Sequence, residues 1–472
     1  MVDETLRTDV TRDPYRALLI ADDLTGALDS GHSLARRSQR VVATLADDGG
    51  DAPADSPNDD APADSPNDDA PADSPNDDAP ADSPNDDAPA DSPNADVLVV
   101  DTDSRAIAPA AAARRVRRAI ERHAATITYK KIDSTLRGNV SSEVDAALAA
   151  TGAALAVVAP AFPATGRRTR DGVHYVDGDP LAEAGYGVDD SDVAAAFADS
   201  DHPLERLPLE IVSQGADAVA ERLRALAADT RPTLVICDAV DADHLRAVAD
   251  GAASTTIDVL YVGSGGLAEH VALPESDDVP PPPTPSGTGA LGVIGSVNPR
   301  TLTQLSAVDE DLVVRVDPVA AVREPTAVPR RVAPRLASRL RERGRAVVTA
   351  AVDVDDVERA RAAAAGLDMP DIDVGDRIAG VLGATAARVT VAPSSPTPAG
   401  LCLSGGHVAR TTLEALSATQ VGLTGCGVDD GIPIGWIGDG PGAGVRLATK
   451  AGGFGSEGAI VNCLRVVAGD HE

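Results

Sequence analysis

Asp22 and Asp23 close an apolar stretch in ADDLTGALDSG. Two adjacent carboxylates at a strand tip can hold Mg²⁺ or act as a general base. One of them, or Thr25, could instead cap the helix that follows. The segment KKIDSTLRGN carries a second polar cluster, Asp133 to Asn139. There Arg137 can clamp a carboxylate bidentately, and Ser134 and Thr135 can meet hydroxyls. A solvated, capped turn is the plain alternative. The chain has 41 Lys and Arg, of which only Lys130, Lys131 and Lys450 are lysine. All three fall in Gly- or Ser/Thr-rich turns after strand-like segments. A compact ammonium suits the approach to a single oxygen or phosphate better than a planar guanidinium does. PAFPATGRRTR, residues 160–170, reads as an anion-binding loop or as a basic patch on an acidic surface.

Three small-residue turns add a different chemistry: GSGG at 263–266, SGG at 404–406 and TKAGGFG at 449–455. Free N–H groups at a helix start, aided by the helix dipole, favour anions such as phosphate. His407 follows the second turn and can touch a ligand or cap the helix. Trp436, the single tryptophan, reads as core. Walker, dinucleotide, zinc-protease and nucleophile-elbow fingerprints are absent. A nucleotide would therefore be held without a Walker loop.

These residues need elements to position them. Strand-like runs (16–21, 41–45, 96–101, 126–130, 154–159, 233–238, 258–262) alternate with Ala/Arg-rich helical stretches (26–37, 109–123, 141–150). That alternation indicates βαβ units and a parallel sheet. LPESDDVPPPPTPSGTG, residues 273–289, is a proline-rich spacer, which sets a domain boundary there. The α/β pattern then restarts with strands at 290–294, 312–316 and 346–350, a helix from Pro299 and another over 371–388. The expected domains are 1–272 and 290–472. Open sheets of this class bind ligands at the carboxyl ends of their strands.

Composition narrows the function further. The net charge is −33, from 74 Asp and Glu against 41 Lys and Arg. Residues 51–94 are five copies of DAPADSPN at a period of nine and hold 14 Asp, so the remainder carries −19. The repeat lacks large apolar side chains and reads as a disordered insertion, 47–95, in a surface loop. An Asp-rich, Lys-poor chain fits a cytoplasm of very high salt, where screening shortens the Debye length to about 3 Å at 1 M. Best activity at low salt would contradict this halophilic reading. No basic patch suits nucleic acid, and no apolar run approaches the ~20 residues of a membrane span. Met1–Arg16 is charged, and the four cysteines form no CxxC pair, so a reducing cytoplasm is expected.

Seven blocks occur in an order that resembles the four-carbon acid sugar kinase family. They are ADDLTGALDSG, KKIDSTLRGN, PAFPATGRRTRDGVHYVDGDPL, GSGGLAEH, GSVNPRTLTQL, LCLSGGHVARTTLEAL and TKAGGFGSEGAI. The resemblance spans nearly everything except the repeat. It implies two α/β domains, the first binding a sugar acid and the second ATP, with Mg²⁺ and an active site in the cleft between them. It implies phosphorylation of a terminal hydroxyl, with Asp23 or Asp133 as base and Asp22 as metal or positioning residue. Asp22, Lys130, Arg137, Asn139 and Arg167 would bind substrate. Ser264, Gly405, Gly406, His407, Val408 and Gly452 would meet the nucleotide. The family usually has an acidic residue or Thr where His407 and Val408 stand, so side-chain contacts there differ. A non-catalytic binder on the same fold is the alternative, and a homo-oligomer is left open.

Overall fold

The computed structural model describes residues 15–36, 39–45, 95–228, 231–273, 279, 281–367, 369–392, 397–429 and 431–470. The repeat lies outside the described residues, and so does part of the 273–289 spacer.

The first half opens with β1 (Tyr15–Ala21), α1 (Leu24–Ala35), β2 (Val41–Thr44), β3 (Val97–Asp101) and α2 (Pro109–Arg122). It continues with β4 (Ala125–Lys131), α3 (Val140–Thr151) and β5 (Leu155–Ala159). A small excursion follows: β6 (Arg167–Arg170), β7 (Val173–Val176) and β8 (Asp179–Pro180). The half ends with β9 (Leu204–Leu207), α4 (Leu209–Val212), α5 (Ala216–Leu226), β10 (Thr233–Cys237), α6 (Ala242–Ala253), β11 (Val259–Gly263) and α7 (Gly265–Ala268).

The second half runs β12 (Ala290–Ile294), α8 (Pro299–Ser306), β13 (Val313–Arg315), α9 (Pro318–Arg323), α10 (Val328–Arg343) and β14 (Arg345–Thr349). Then come α11 (Val354–Ala365), α12 (Asp371–Thr390), β15 (Gly400–Ser404), α13 (Gly406–Ala415) and β16 (Gln420–Asp429). The described chain closes with β17 (Ile432–Ile437), β18 (Arg446–Lys450) and α14 (Ala459–Ala468).

Short apolar strands such as β5 (LAVVA) and β12 (ALGVI) are buried along their whole length. That is the pattern of parallel strands covered by helices on both faces. In the first half the parallel order is β2-β3-β1-β4-β11-β5-β10-β9. In the second it is β13-β14-β12-β15-β18. The hairpin β16–β17 is antiparallel to both of its neighbours, β2 and β18. It joins the two parallel blocks into one 15-stranded sheet. This α/β architecture, mainly parallel, is the fold class expected from the sequence. The hairpin was not, because its glycines break the apolar alternation.

Each half repeats one topology. From β1 the chain adds β2 and β3 on one side, then crosses to β4 on the other. From β12 it adds β13 and β14 on one side, then crosses to β15. Such switch points open a crevice beyond the strand carboxyl ends. α1 packs over the joint between the halves and needs a small residue there. A Cβ on Gly31 would lie 2.7 Å from Leu423 Cδ1 and 3.0 Å from Val99 Cγ2. Arg410 of α13 pairs with Asp101 at the end of β3, and its Nε lies 3.3 Å from Asp103. All four cysteines are free thiols.

Candidate functional site

Both switch points deliver residues to one cavity of about 690 Å³. From the first half it receives Asp23, Thr25, Gly26 and Asp29 after β1, Lys131 at the end of β4 with Asp133, Ser134, Thr135 and Arg137 beyond it, and Ser264 and Gly265 after β11. From the second it receives 295–298 after β12, Ala350 and Ala351 after β14, Gly405–Val408 after β15 and 451–454 after β18.

The wall from the first half is made of charged side chains. Asp23 leaves β1 in an extended conformation and caps α1, accepting from Gly26 N at 2.6 Å. Asp22 turns inward, where Arg105 Nε and Nη2 grip its two oxygens at 2.8 and 3.0 Å. The same guanidinium lies 2.5 Å from Asp23 Oδ2 and 3.5 Å from Asp133 Oδ1. Gly138, at φ +93°, leaves room for it, since a Cβ there would lie 3.1 Å from Arg105 Cγ. Asp133 is also held by Arg137, with Nε and Nη2 at 2.7 and 3.1 Å, and by the Thr135 hydroxyl.

These contacts set the charges. Burial opposes ionisation of Asp133, but Arg137 and Arg105 outweigh it and hold its carboxyl far below the usual range. Asp22 is lowered too: burial is again outweighed, by Arg105, Lys130 and Lys131. Asp23 moves up, because burial and the nearby Asp22 prevail over Arg105. Asp29 is lifted by burial to about 6, against the pull of Lys131.

The three-stranded sheet β6-β7-β8 supplies the cavity's far rim. Arg167 lines the cavity, and its Nη2 lies 3.2 Å from Tyr186 Oη. Two guanidiniums lie over the Tyr186 ring, Arg137 at 5.8 Å and Arg167 at 5.9 Å from its centroid, within cation–π range. His174 ties this sheet to the Asp133 turn. Burial lowers its pKa to about 4, so it is neutral at pH 7. Its Nε2 therefore donates to Ser134 O (2.9 Å) and its Nδ1 accepts from Thr169 Oγ1 (2.9 Å). The segment read as an anion loop is thus a short helical turn, Pro163–Thr165, followed by the strand β6, which pairs with β7. Of its arginines Arg167 lines the cavity, while Arg168 donates to Val240 O.

The wall from the second half is mostly backbone. Gly405 sits at φ +104° against Ser296, and α13 begins at Gly406. A Cβ on Gly452 would lie 2.5 Å from Ser296 Oγ and 2.9 Å from Asn298 Cβ. The three loops therefore pack at a spacing only glycine permits. Lys450 is buried beneath them and donates to Thr301 Oγ1, Ala451 O and Gly452 O at 2.9–3.0 Å. Burial lowers its pKa to about 8. The two walls meet at their helix starts, since a Cβ on Gly406 would lie 3.1 Å from Thr25 Oγ1.

Several expected positions are corrected by this geometry. Lys130 does not reach the cavity. Alternation along β4 sends it to the opposite face from Lys131, fully buried, with Nζ 2.8 Å from Glu143. Asn139 also stays outside. Its amide donates to Ser104 O and Ile107 O at 2.8 Å, which fixes the loop carrying Arg105. Asp22 is closed off by Arg105, and among the described residues no group of three or more His, Cys, Asp or Glu could hold a metal. Ser264 lines the cavity, but in the first half. Its hydroxyl donates to Ala161 O (3.1 Å) and caps α7 by accepting from Gly266 N (3.3 Å). His407 does line the cavity, and its exposed ring pairs with Asp376 at 2.6 Å. Asp23, Asp133, Arg137, Arg167, Gly405, Gly406, Val408 and Gly452 all reach the cavity. Arg105 and Tyr186 were missed, because no motif marks one arginine among 38 or a tyrosine in an insertion.

Residues 17–271 match a family model described as a sugar-binding N-terminal domain. Residues 291–460 match one described as a nucleotide-binding C-terminal domain. A D-threonate kinase of Bordetella bronchiseptica is 33% identical over 381 residues, 79% of this chain and 86% of its own. A D-threonate kinase of Cupriavidus necator is 32% identical over 465 residues, 94% of this chain and 96% of its own. A D-erythronate kinase of Heliobacterium modesticaldum is 31% identical, over 78% of this chain and 86% of its own. Among solved structures, a Haemophilus influenzae protein superposes with TM-score 0.65 at 20% identity, over 94% of this chain and 98% of its own. A Salmonella typhimurium protein gives TM-score 0.72 at 20% identity, over 95% and 99%. These two share the fold.

Proposed function

Because the chain belongs to the four-carbon acid sugar kinase family, we propose that it transfers the terminal phosphoryl group of ATP to the terminal hydroxyl of a four-carbon sugar acid. One observation carries this reading: a single cavity has a cationic side-chain wall facing a glycine-built backbone wall. Arg137 and Arg167, both near Tyr186, suit the substrate carboxylate, since a planar fork meets two oxygens at once. The sugar chain then extends toward α1. The N–H groups at the start of α13 and the loop at Gly452 suit the phosphates, where the dipole favours negative charge.

The glycine cradle fits a nucleotide that approaches the backbone closely. The arginine-bound carboxylates do not form a protein cage for Mg²⁺. The donor set fits a metal that arrives on the triphosphate, as Mg²⁺ does when phosphates and water supply most of its ligands. Its chemistry there would be to offset charge on the phosphate oxygens. Transfer of this kind rests on positioning and charge stabilisation. Arg105 and Arg137 hold the Asp133 turn in place.

Asp133 suits an orienting role: it stays ionised and both its oxygens are bound. Asp23 serves the cap and Arg105 together. The non-catalytic alternative rested on His407, whose exposed ring pairs with Asp376, while the N–H groups at the start of α13 do not depend on its side chain. Aspartate in place of lysine over the whole chain supports work in molar salt, in the cytoplasm. Among the described residues no helix is long and apolar enough to cross a membrane. The test is ADP release from MgATP in molar KCl, with D-threonate, D-erythronate and 3-oxo-tetronates in turn. Acid-dependent release supports the proposal. Release that ignores the acid, or none at all, overturns it.

A further inference from the structure

We infer that Asp29, rather than Asp23 or Asp133, accepts the proton of the substrate hydroxyl. The inference rests on the kinase reading and assigns the one role that reading leaves open. α1 presents Thr25, Gly26 and Asp29 to the cavity, positions one helical turn apart on the same face. Thr25 marks the contact with the start of α13, where the phosphates belong. Asp29 lies four residues farther along, about 6 Å by helical rise, against the start of α7 in the first half, the half proposed to hold the acid.

The neighbouring carboxylates are already occupied. Asp22 is bound through both oxygens by Arg105, Asp133 through both by Arg137, and Asp23 by Gly26 N and Arg105. Among the described residues the Asp29 carboxylate takes part in no hydrogen bond or ion pair, although it lines the cavity. It lies against the start of α7, where a Cβ on Gly265 would be 3.3 Å from its Oδ2. The charged groups that act on it are Lys131 of β4 and Asp23 at the start of α1. α7 (GGLA) and Phe162 present no titratable group. Burial raises the Asp29 carboxyl to about 6, basic enough to take a proton near neutrality and ionised at pH 7.

In the step, the terminal O–H bond breaks and its proton moves to Asp29. The hydroxyl oxygen's electron pair forms the new bond to the γ-phosphorus of ATP. The bond from that phosphorus to the bridging oxygen breaks, and ADP leaves with that pair. Asp29 then returns the proton to solvent. Lys131 Nζ, which would lie 3.0 Å from a Cβ on Gly26, supplies positive charge beside the exchange.

The test uses the full-length chain, MgATP and D-threonate, or whichever four-carbon acid the wild type turns over. Wild-type kcat/KM falls below about pH 6. Asp29→Asn loses about 10²- to 10⁴-fold in kcat, keeps KM for the acid within a few-fold, and loses the acid limb. Its melting temperature equals or exceeds the wild type's, because a buried charge is removed. Asp29→Glu, which keeps a carboxylate, recovers part of kcat and the acid limb. An Asp29→Asn enzyme within a few-fold of wild type and with an unchanged acid limb overturns the inference alone. If Asp29→Asn does not fold, an Asp29→Glu enzyme with no acid limb does the same. A wild type that binds MgATP yet phosphorylates none of the acids overturns the kinase reading, and the inference falls with it.

Discussion

The two walls of the cavity solve the same problem with different materials. The first half fixes its groups by ion pairs: Arg105 alone engages Asp22, Asp23 and Asp133. The second half fixes its groups by leaving out side chains at Gly405 and Gly452, so that their backbone packs close against Ser296 and Asn298. Under the proposed function, a side-chain wall would read the shape and charge of one small acid. A backbone wall would accept any group bearing phosphate oxygens in the right place. Substitutions should therefore separate the two, altering acid recognition on one side and nucleotide binding on the other.

The largest effect expected is the loss of kcat in Asp29→Asn, which sharpens the comparison by leaving both KM values nearly unchanged. Its stability has a definite pH dependence. The folded pKa of Asp29 is raised, so its ionisation disfavours the native state above about pH 6. The stability gain of Asp29→Asn should be full at pH 7 and fade as pH falls from 6 toward 4, read by melting temperature.

Next is Lys130→Met. It strands Glu143 as a buried, unpaired charge, at about 3–5 kcal/mol. Chemical denaturation should register that loss, while KM for acid and ATP stays within about threefold of wild type. A selective rise in acid KM would return Lys130 to the site and blur the wall as drawn.

Gly452→Val forces a clash with Ser296 and Asn298, at about 1–3 kcal/mol. KM for ATP should rise roughly 5- to 150-fold while KM for the acid holds. Arg137→Lys keeps the charge but loses the fork, at about 1.5 kcal/mol, so KM for the acid should rise roughly tenfold with ATP unaffected. Crossed effects in either variant would break the division of labour. The smallest effect belongs to His407→Thr, within about twofold for both substrates in steady-state kinetics, because its exposed ring pairs with Asp376.

The contrast also explains what could be read from the sequence. Apolar runs such as RALLIA, LAVVA and ALGVI are strands because they are buried on both faces, and their spacing with helices implied the parallel sheet. Turns rich in glycine marked the backbone wall, since a cradle needs glycine wherever it is built. The charged wall was harder. Lys130 and Lys131 are adjacent, yet alternation sends one to Glu143 and the other to the cavity, and nothing in the sequence says which face is which. Arg105 sits in DTDSRAIAP without glycine or repeat to single it out. Asp29 was within reach. It stands four residues after Thr25 on a helix already read from the sequence, so helical spacing alone shares its face with the cavity residues. The β16–β17 hairpin was hidden by Gly422, Gly425, Gly427 and Gly435, which interrupt its pattern because Trp436 and neighbouring backbone lie close against them.

The most direct test of the whole account is phosphorus NMR of the wild-type chain with MgATP and, in turn, D-threonate, D-erythronate and a 3-oxo-tetronate in molar KCl, read on the acid that gives turnover. The account predicts ADP together with one new phosphomonoester whose signal is split by two protons, the mark of a terminal CH₂–O–P linkage. Intact ATP, release of inorganic phosphate alone, or an ester on a CH carbon would contradict it.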